Sequence, residues 1–155
     1  MADNIQIIPY KDELKEFVKI LNEEWLKKYF KVEETDHIQL YDPKKEILDK
    51  GGKIFFVKYK DQIVGTVSLM KIDKETYELS KMAVKEKFQG KGIGKLLIEY
   101  SIKAAKESGM KKLILYSSTK LPPAIHLYKK NGFKEIPLTN SHYKKSDIKM
   151  EKVLE

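Results

Sequence analysis

The chain has 155 residues, enough for one ordinary domain that buries a core without a metal or disulfide staple. It contains no cysteine, which excludes disulfides and thiolate chemistry, and its 31 basic and 23 acidic residues leave a net charge of +8. No apolar run approaches the 18 residues of a membrane span, no leader-like segment opens the chain, and no Arg-rich or aromatic-interleaved stripe marks a nucleic-acid surface. A cytoplasmic protein without membrane or nucleic-acid partners is expected.

Asn4–Ile8 reads as a short strand ended by Pro9. A helix should start at Asp12 and run to about Phe30, because Leu14, Phe17, Val18, Leu21 and Trp25 share one helical face. Glu33-Glu34-Thr35-Asp36 reads as an acidic loop, and Asp42-Pro43 as the start of a second helix closed by Gly51-Gly52. Three strands follow with tight connections: Lys53–Tyr59, Gln62–Ile72 and Glu75–Val84. They are expected to form an antiparallel meander.

Phe88-Gln89-Gly90-Lys91-Gly92-Ile93-Gly94-Lys95-Leu96 is a short basic glycine-rich loop leading into a helix that ends near Glu107. Ile93, Leu96, Leu97, Tyr100 and Ala104 form its buried stripe. Glycine at every second position lets backbone approach a ligand closely, and free N–H groups at a helix start favour an anion. The loop is not a Walker A motif, since three residues separate Gly90 from Gly94-Lys95 and Leu96 stands where Ser or Thr is needed. Nor is it a dinucleotide fingerprint, since the spacing is G-x-G-x-G. Lys112–Ser117 is the next strand and must run parallel to the third meander strand, because a helix joins them. Pro122-Pro123 opens a helix over Ala124–Asn131, Phe133–Ile136 and Asp147–Val153 read as strands, and Thr139–Lys145 is a polar loop.

Gln89-x-x-Gly92-x-Gly94 resembles the pyrophosphate loop of the GNAT superfamily of acyl-CoA-dependent N-acyltransferases. Ala124-x-x-Leu127-Tyr128-x-x-x-Gly132-Phe133 resembles a second segment of that family, and the order β-α-α-β-β-β-α-β-α-β-β is that of its fold. The resemblance covers Tyr77–Phe133 by motif and the rest by element order. It implies a single GNAT-like α/β domain over residues 1–155, with a central mixed sheet flanked by helices. It also implies acetyl transfer from acetyl-CoA to a primary amine, on a small molecule or a protein, by direct attack in a ternary complex. No Cys and no Ser-His-Asp arrangement is available for a covalent route. The alternative is a non-catalytic acyl-CoA-binding module.

By the same resemblance Gln89, Gly90, Lys91, Gly92, Ile93, Gly94 and Lys95 hold the pyrophosphate, while Met82, Ala83 and Val84 line the pantetheine arm through their main chain. Glu78 is the candidate base, or else a carboxylate paired with a lysine on the next strand. Tyr128 is the candidate proton donor to the leaving thiolate, or else helix-face core. Strict alternation puts Glu78, Ser80, Met82 and Val84 on one face, unless a bulge near Lys81-Met82 reverses the second half. Trp25, Tyr29 and His37 are weaker acceptor-pocket candidates. Leu121 stands where many family members have an Asn that binds the arm, so Ser117, Ser118 or Thr119 must substitute or the contact is lost. His37, His126 and His142 are scattered, so no metal is expected. A monomer or a homodimer is expected.

Overall fold

The computed structural model describes residues 4–29, 34–139 and 146–155; the side chains of Trp25, Lys28, Tyr29 and residues 34–37 lie outside the description. In chain order the elements are β1 (Ile5–Pro9), a 3-10 turn (Asp12–Leu14), α1 (Lys15–Tyr29), α2 (Glu34–Tyr41), a π-helical turn (Lys44–Leu48), β2 (Lys53–Tyr59), β3 (Gln62–Lys71) and β4 (Thr76–Val84). A 3-10 turn (Glu86–Phe88), α3 (Ile93–Glu107), β5 (Lys112–Ser117), α4 (Pro122–Lys130), β6 (Lys134–Ile136) and β7 (Ile148–Val153) complete it. The seven strands form one mixed sheet in the order β1-β2-β3-β4-β5-β7-β6. Among the described residues only β4 and β5 pair in parallel, as the intervening helix requires.

Two expectations for the second helical region are corrected. Glu34–Asp36 is not loop but the start of α2. The helix expected from Asp42-Pro43 is only one π-helical turn. Pro43 has no N–H to continue the α2 ladder, so the chain restarts with Asp49 N–H bonding the Lys44 carbonyl at 2.8 Å and Gly52 N–H bonding that of Ile47 at 2.8 Å.

The sheet is buried on both faces. Ile54-Phe55-Phe56-Val57 of β2 shows why: alternate residues supply opposite cores. Ile54 and Phe56 pack with Val18, Leu21, Leu26 and Ile47 beneath α1. Phe55 and Val57 pack with Ile93, Leu97 and Tyr128 beneath α3 and α4. Tyr100 meets Phe55 edge-on, ring centroids 4.9 Å apart. The α3 stripe is wider than its five expected residues: Ile98, Ser101 and Ala105 are also buried, and Leu96 only half so.

Candidate active site

The pairing of β4 with β5 is short. Thr76, Tyr77 and Glu78 face Lys112, Leu113 and Ile114, and beyond that point the strands part. β4 continues to Val84 against β3 alone, and β5 continues to Ser117 against β7. The parting opens a cleft of about 770 Å³, walled by β4, the glycine loop, the end of β5 and α4.

A bulge sets which β4 side chains face where. Thr66 pairs with Ala83 and Ser68 with Ser80, so Lys81 and Met82 together stand opposite Val67. Lys81 takes a left-handed backbone conformation, φ +52°, a strained one for a residue with a Cβ. The extra residue reverses the alternation. Tyr77 and Leu79 belong to the α3-side core; past the bulge Ala83 joins the α1-side core, while Met82 and Val84 pack on the α3 side. Glu78 lies cross-strand from Met70, which packs in the α1-side core, so the carboxyl stands on the α1 face. Glu78 is 3% exposed and lines the cleft. The loop and Tyr128 border the same cleft from the α3 and α4 side, so it passes through the sheet from face to face.

The loop is built by backbone. Gly90 and Gly92 have φ of +76° and +84°, and a Cβ at either would meet nothing within 4 Å. The loop's inner surface is therefore open. Gly92 precedes α3, and Leu96 N–H makes the first bond back, to the Gly92 carbonyl at 3.1 Å. The N–H groups of Ile93, Gly94 and Lys95 thus precede the helical ladder, and no side chain caps the helix among the described residues. These donors and the loop's open concavity fit a pyrophosphate. A Cβ at Gly94 would lie 3.4 Å from Leu127, the closeness with which α3 packs on α4. Gln89 Nε2 donates to the Val84 carbonyl at 3.0 Å, tying the loop to the end of β4. Lys95 lines the cleft; Lys91 is exposed and does not.

Tyr128 is 8% exposed, lines the cleft and packs against Phe133 edge-on, centroids 6.0 Å apart. Desolvation pushes its pKa up to about 12, so the hydroxyl keeps its proton at neutral pH. Its expected alternative roles, core and proton donor, are both compatible with this placement. His126, two positions earlier, is exposed and outside the cleft.

The opposite wall carries Ser117, Ser118 and Leu121, expected only in connection with one arm contact, together with residues not anticipated as cleft lining. Tyr116, Ser117, Ser118, Lys120 and Leu121 come from β5 and the turn after it, and Asn22 and Leu26 from α1. Thr119 is committed elsewhere, its N–H and Oγ1 both bonding Asp147. That leaves Ser117 and Ser118 at the cleft beside Leu121. Asn22 had a legible signal: it interrupts the apolar face one helical turn after Val18. The side chains of Trp25, Tyr29 and His37 lie outside the described residues. Among the described residues no cluster of three or more His, Cys, Asp or Glu side chains offers a metal site, and no helix is long and apolar enough to cross a membrane.

A sheet splayed after one short parallel joint, with a glycine loop at its mouth, defines an acyl-CoA-binding α/β domain. The chain belongs to the Acetyltransferase (GNAT) family, whose model matches residues 14–133. It is 32% identical over 102 residues to the uncharacterized N-acetyltransferase YvbK of Bacillus subtilis (strain 168), spanning 64% of this chain and 66% of that protein. The fold matches an acetyltransferase of GNAT family from Staphylococcus aureus Mu50, with TM-score 0.87, 26% identity, and 97% and 99% of the two chains covered. It also matches spermidine N-acetyltransferase from Vibrio cholerae in complex with CoA and spermine, with TM-score 0.74, 20% identity, and 98% and 96% covered.

Proposed function

We propose that this protein transfers the acetyl group of acetyl-CoA to a primary amine by direct attack while both substrates are bound. The observation that carries this reading is the cleft that crosses the sheet beside Glu78, with the glycine loop on one side and a buried carboxyl on the other. A cleft bordered from both faces of the sheet has room for two substrates to meet inside without leaving in turn. The bound thioester supplies an activated acetyl carbon.

Each residue then has a physical task. The amides at the start of α3 and Lys95 hold the pyrophosphate, and the free edge of Met82, Ala83 and Val84 pairs with the arm as an added strand would. An alkylamine arrives protonated; with a pKa near 10.4, freeing its lone pair at pH 7 costs about 4–5 kcal/mol. Glu78 takes that proton. Nitrogen bonds to the acetyl carbon and releases its second proton to solvent, the carbon–sulfur bond breaks, and the Tyr128 hydroxyl gives sulfur its proton, to be restored from solvent. A backbone amide near Met82 polarises the thioester carbonyl as charge develops on it.

A small-molecule amine is the acceptor class favoured by the likeness to a fold crystallised with spermine. The test is acetyl-CoA consumption with spermidine, L-lysine, phenethylamine and a lysine-containing peptide. Turnover with any of them supports the reading. Tight CoA binding with no turnover, unchanged in a Glu78→Gln, Tyr128→Phe double variant, would instead favour a non-catalytic acyl-CoA-binding module.

A further inference from the structure

Asn22 is a buried amide with half of its hydrogen bonding unspent. It sits on the apolar face of α1 among Val18, Leu21 and Leu26 and is fully buried. Its Nδ2 donates to the Val18 carbonyl at 2.7 Å, one helical turn back. That bond fixes which end of the amide is which. Oδ1 is buried and has no hydrogen-bond partner among the described residues. Buried polar atoms in folded proteins are nearly always satisfied, so an orphan acceptor on the wall of a cleft marks a place for a donor. The open volume that Asn22 borders is the cleft beside Glu78.

The two groups share a face. Glu78 stands on the α1 side of β4, and α1 packs across β3 and β4. The wall there also carries Ser80, with the apolar Leu26 and Ala83. A carboxylate and an amide oxygen both accept hydrogen bonds, so a ligand that reaches both brings at least two donor hydrogens, as an ammonium does. A thioester group has acceptors only, and it cannot satisfy Asn22.

We propose that Asn22 positions the acceptor: its Oδ1 accepts one N–H of a primary amine while Glu78 takes the proton. The inference rests on the acetyl-transfer reading above and names the acceptor's chemistry. A primary ammonium has three N–H groups. One proton goes to Glu78, one N–H stays on Asn22, and the freed lone pair is held toward the thioester carbon. A secondary amine keeps a single N–H after losing its proton and must fit a second carbon against Leu26. A tertiary amine has no N–H left for Asn22. The site is therefore selective for primary amines.

The experiment uses Asn22→Leu, close in volume and unable to accept. Acetyl-CoA consumption is measured with spermidine, L-lysine and phenethylamine, and with N-methylphenethylamine as the secondary probe. CoA affinity by calorimetry and the melting temperature are read alongside. Asn22→Leu is expected to raise KM for the accepted primary amine at least tenfold and to collapse the primary-over-secondary preference. CoA affinity should stay within about twofold, and the melting temperature should hold or rise, because an unsatisfied group has been replaced by an apolar one. Asn22→Asp keeps an oxygen at the site and should retain KM within a few-fold. An unchanged KM in folded Asn22→Leu overturns the inference, most plainly if the melting temperature falls, which marks a purely structural amide. Should Asn22→Leu not fold, a tenfold rise of KM in Asn22→Asp overturns it equally. If the wild-type protein acetylates no primary amine, the acetyl-transfer reading fails before any variant is made, and this one with it.

Discussion

Thr119 clasps Asp147 at two points: its backbone N–H and its hydroxyl donate to the two carboxylate oxygens at 2.8 and 2.6 Å. With Asp147 N–H bonding the Ser117 carbonyl at 3.0 Å, the clasp joins the turn after β5 to the start of β7. That turn presents Ser117 and Ser118 to the cleft. The hydroxyl of Thr119, helped by its N–H, holds the Asp147 carboxyl below the usual carboxylate range. The sign follows from the lowered pKa: the stabilisation is present above the ordinary carboxylate value and is lost as pH falls through the folded one. Thr119→Val should move the Asp147 titration, followed by NMR, back up toward 3.8. It should also weaken CoA binding several-fold through the loosened turn.

Gly92→Asp should abolish measurable CoA binding by calorimetry. The new side chain enters the open concavity, with a negative charge where phosphate belongs, in a left-handed conformation that costs ~1 kcal/mol for a residue with a Cβ. The circular-dichroism spectrum should stay that of the wild type. Wild-type CoA affinity in the folded variant would remove the loop from the cofactor site.

Lys95→Ala should weaken CoA binding more than Lys91→Ala, since only Lys95 lines the cleft. Its 3.9 Å approach to Glu99 is a loose, exposed pair and a weak competitor for the ammonium. The loss should shrink as salt rises toward 1 M, where screening shortens electrostatic reach to ~3 Å. Titrations at low and high salt decide it.

Glu78→Gln keeps the size of the side chain and removes the base. Turnover should fall by about 10²–10⁴-fold, with CoA affinity unchanged, in steady-state kinetics and calorimetry. A variant that keeps wild-type turnover would return Glu78 to a structural role on its strand.

Tyr128→Phe removes a hydroxyl and leaves the ring against Phe133. Loss of proton donation should appear in kcat, about 10–100-fold, with KM little changed. An alkaline signature accompanies it. The raised pKa means that between pH 10 and about 12 the unfolded chain has released this proton while the folded chain keeps it. Stability is therefore complete below pH 10 and falls by up to ~3 kcal/mol as pH climbs through the folded value. Denaturant titrations at pH 9 and 11 should show a smaller loss in Tyr128→Phe than in the wild type. Equal losses would mean that the ring's burial does not hold the proton.

The strands were legible where apolar runs met strong punctuation. Lys53–Tyr59 is bounded by Gly52 and the Lys60-Asp61 turn, and Lys112–Ser117 follows Gly109; both match the expected bounds to the residue. The bulge at Lys81-Met82 was open in the sequence and settled by the register with β3, since only pairing decides which residue is extra. α2 was missed because Glu34-Thr35-Asp36 has turn-like composition, and neighbouring elements decide what that composition does. The Ser117–Leu121 wall was foreseen only as a possible replacement for one family contact, because its position depends on how far β5 swings from β4. Asn22 went unread although its spacing from Val18 set it on the core face.

β4 beyond Glu78 is a sheet edge lying in the middle of a sheet rather than at its rim. An edge with no strand beside it is an invitation to any extended chain, including another copy of this one. The kink at Lys81, with its left-handed backbone and extra residue, bends that edge out of the flat register a second strand would need. The gap is also closed at one end by the Glu78–Ile114 joint and lined at the other by Pro123 and Leu127. A slender ligand arm with few amides can follow so short and bent an edge, and a polypeptide strand cannot. The distortion that shapes the cleft thus also makes this edge a poor template for a second strand.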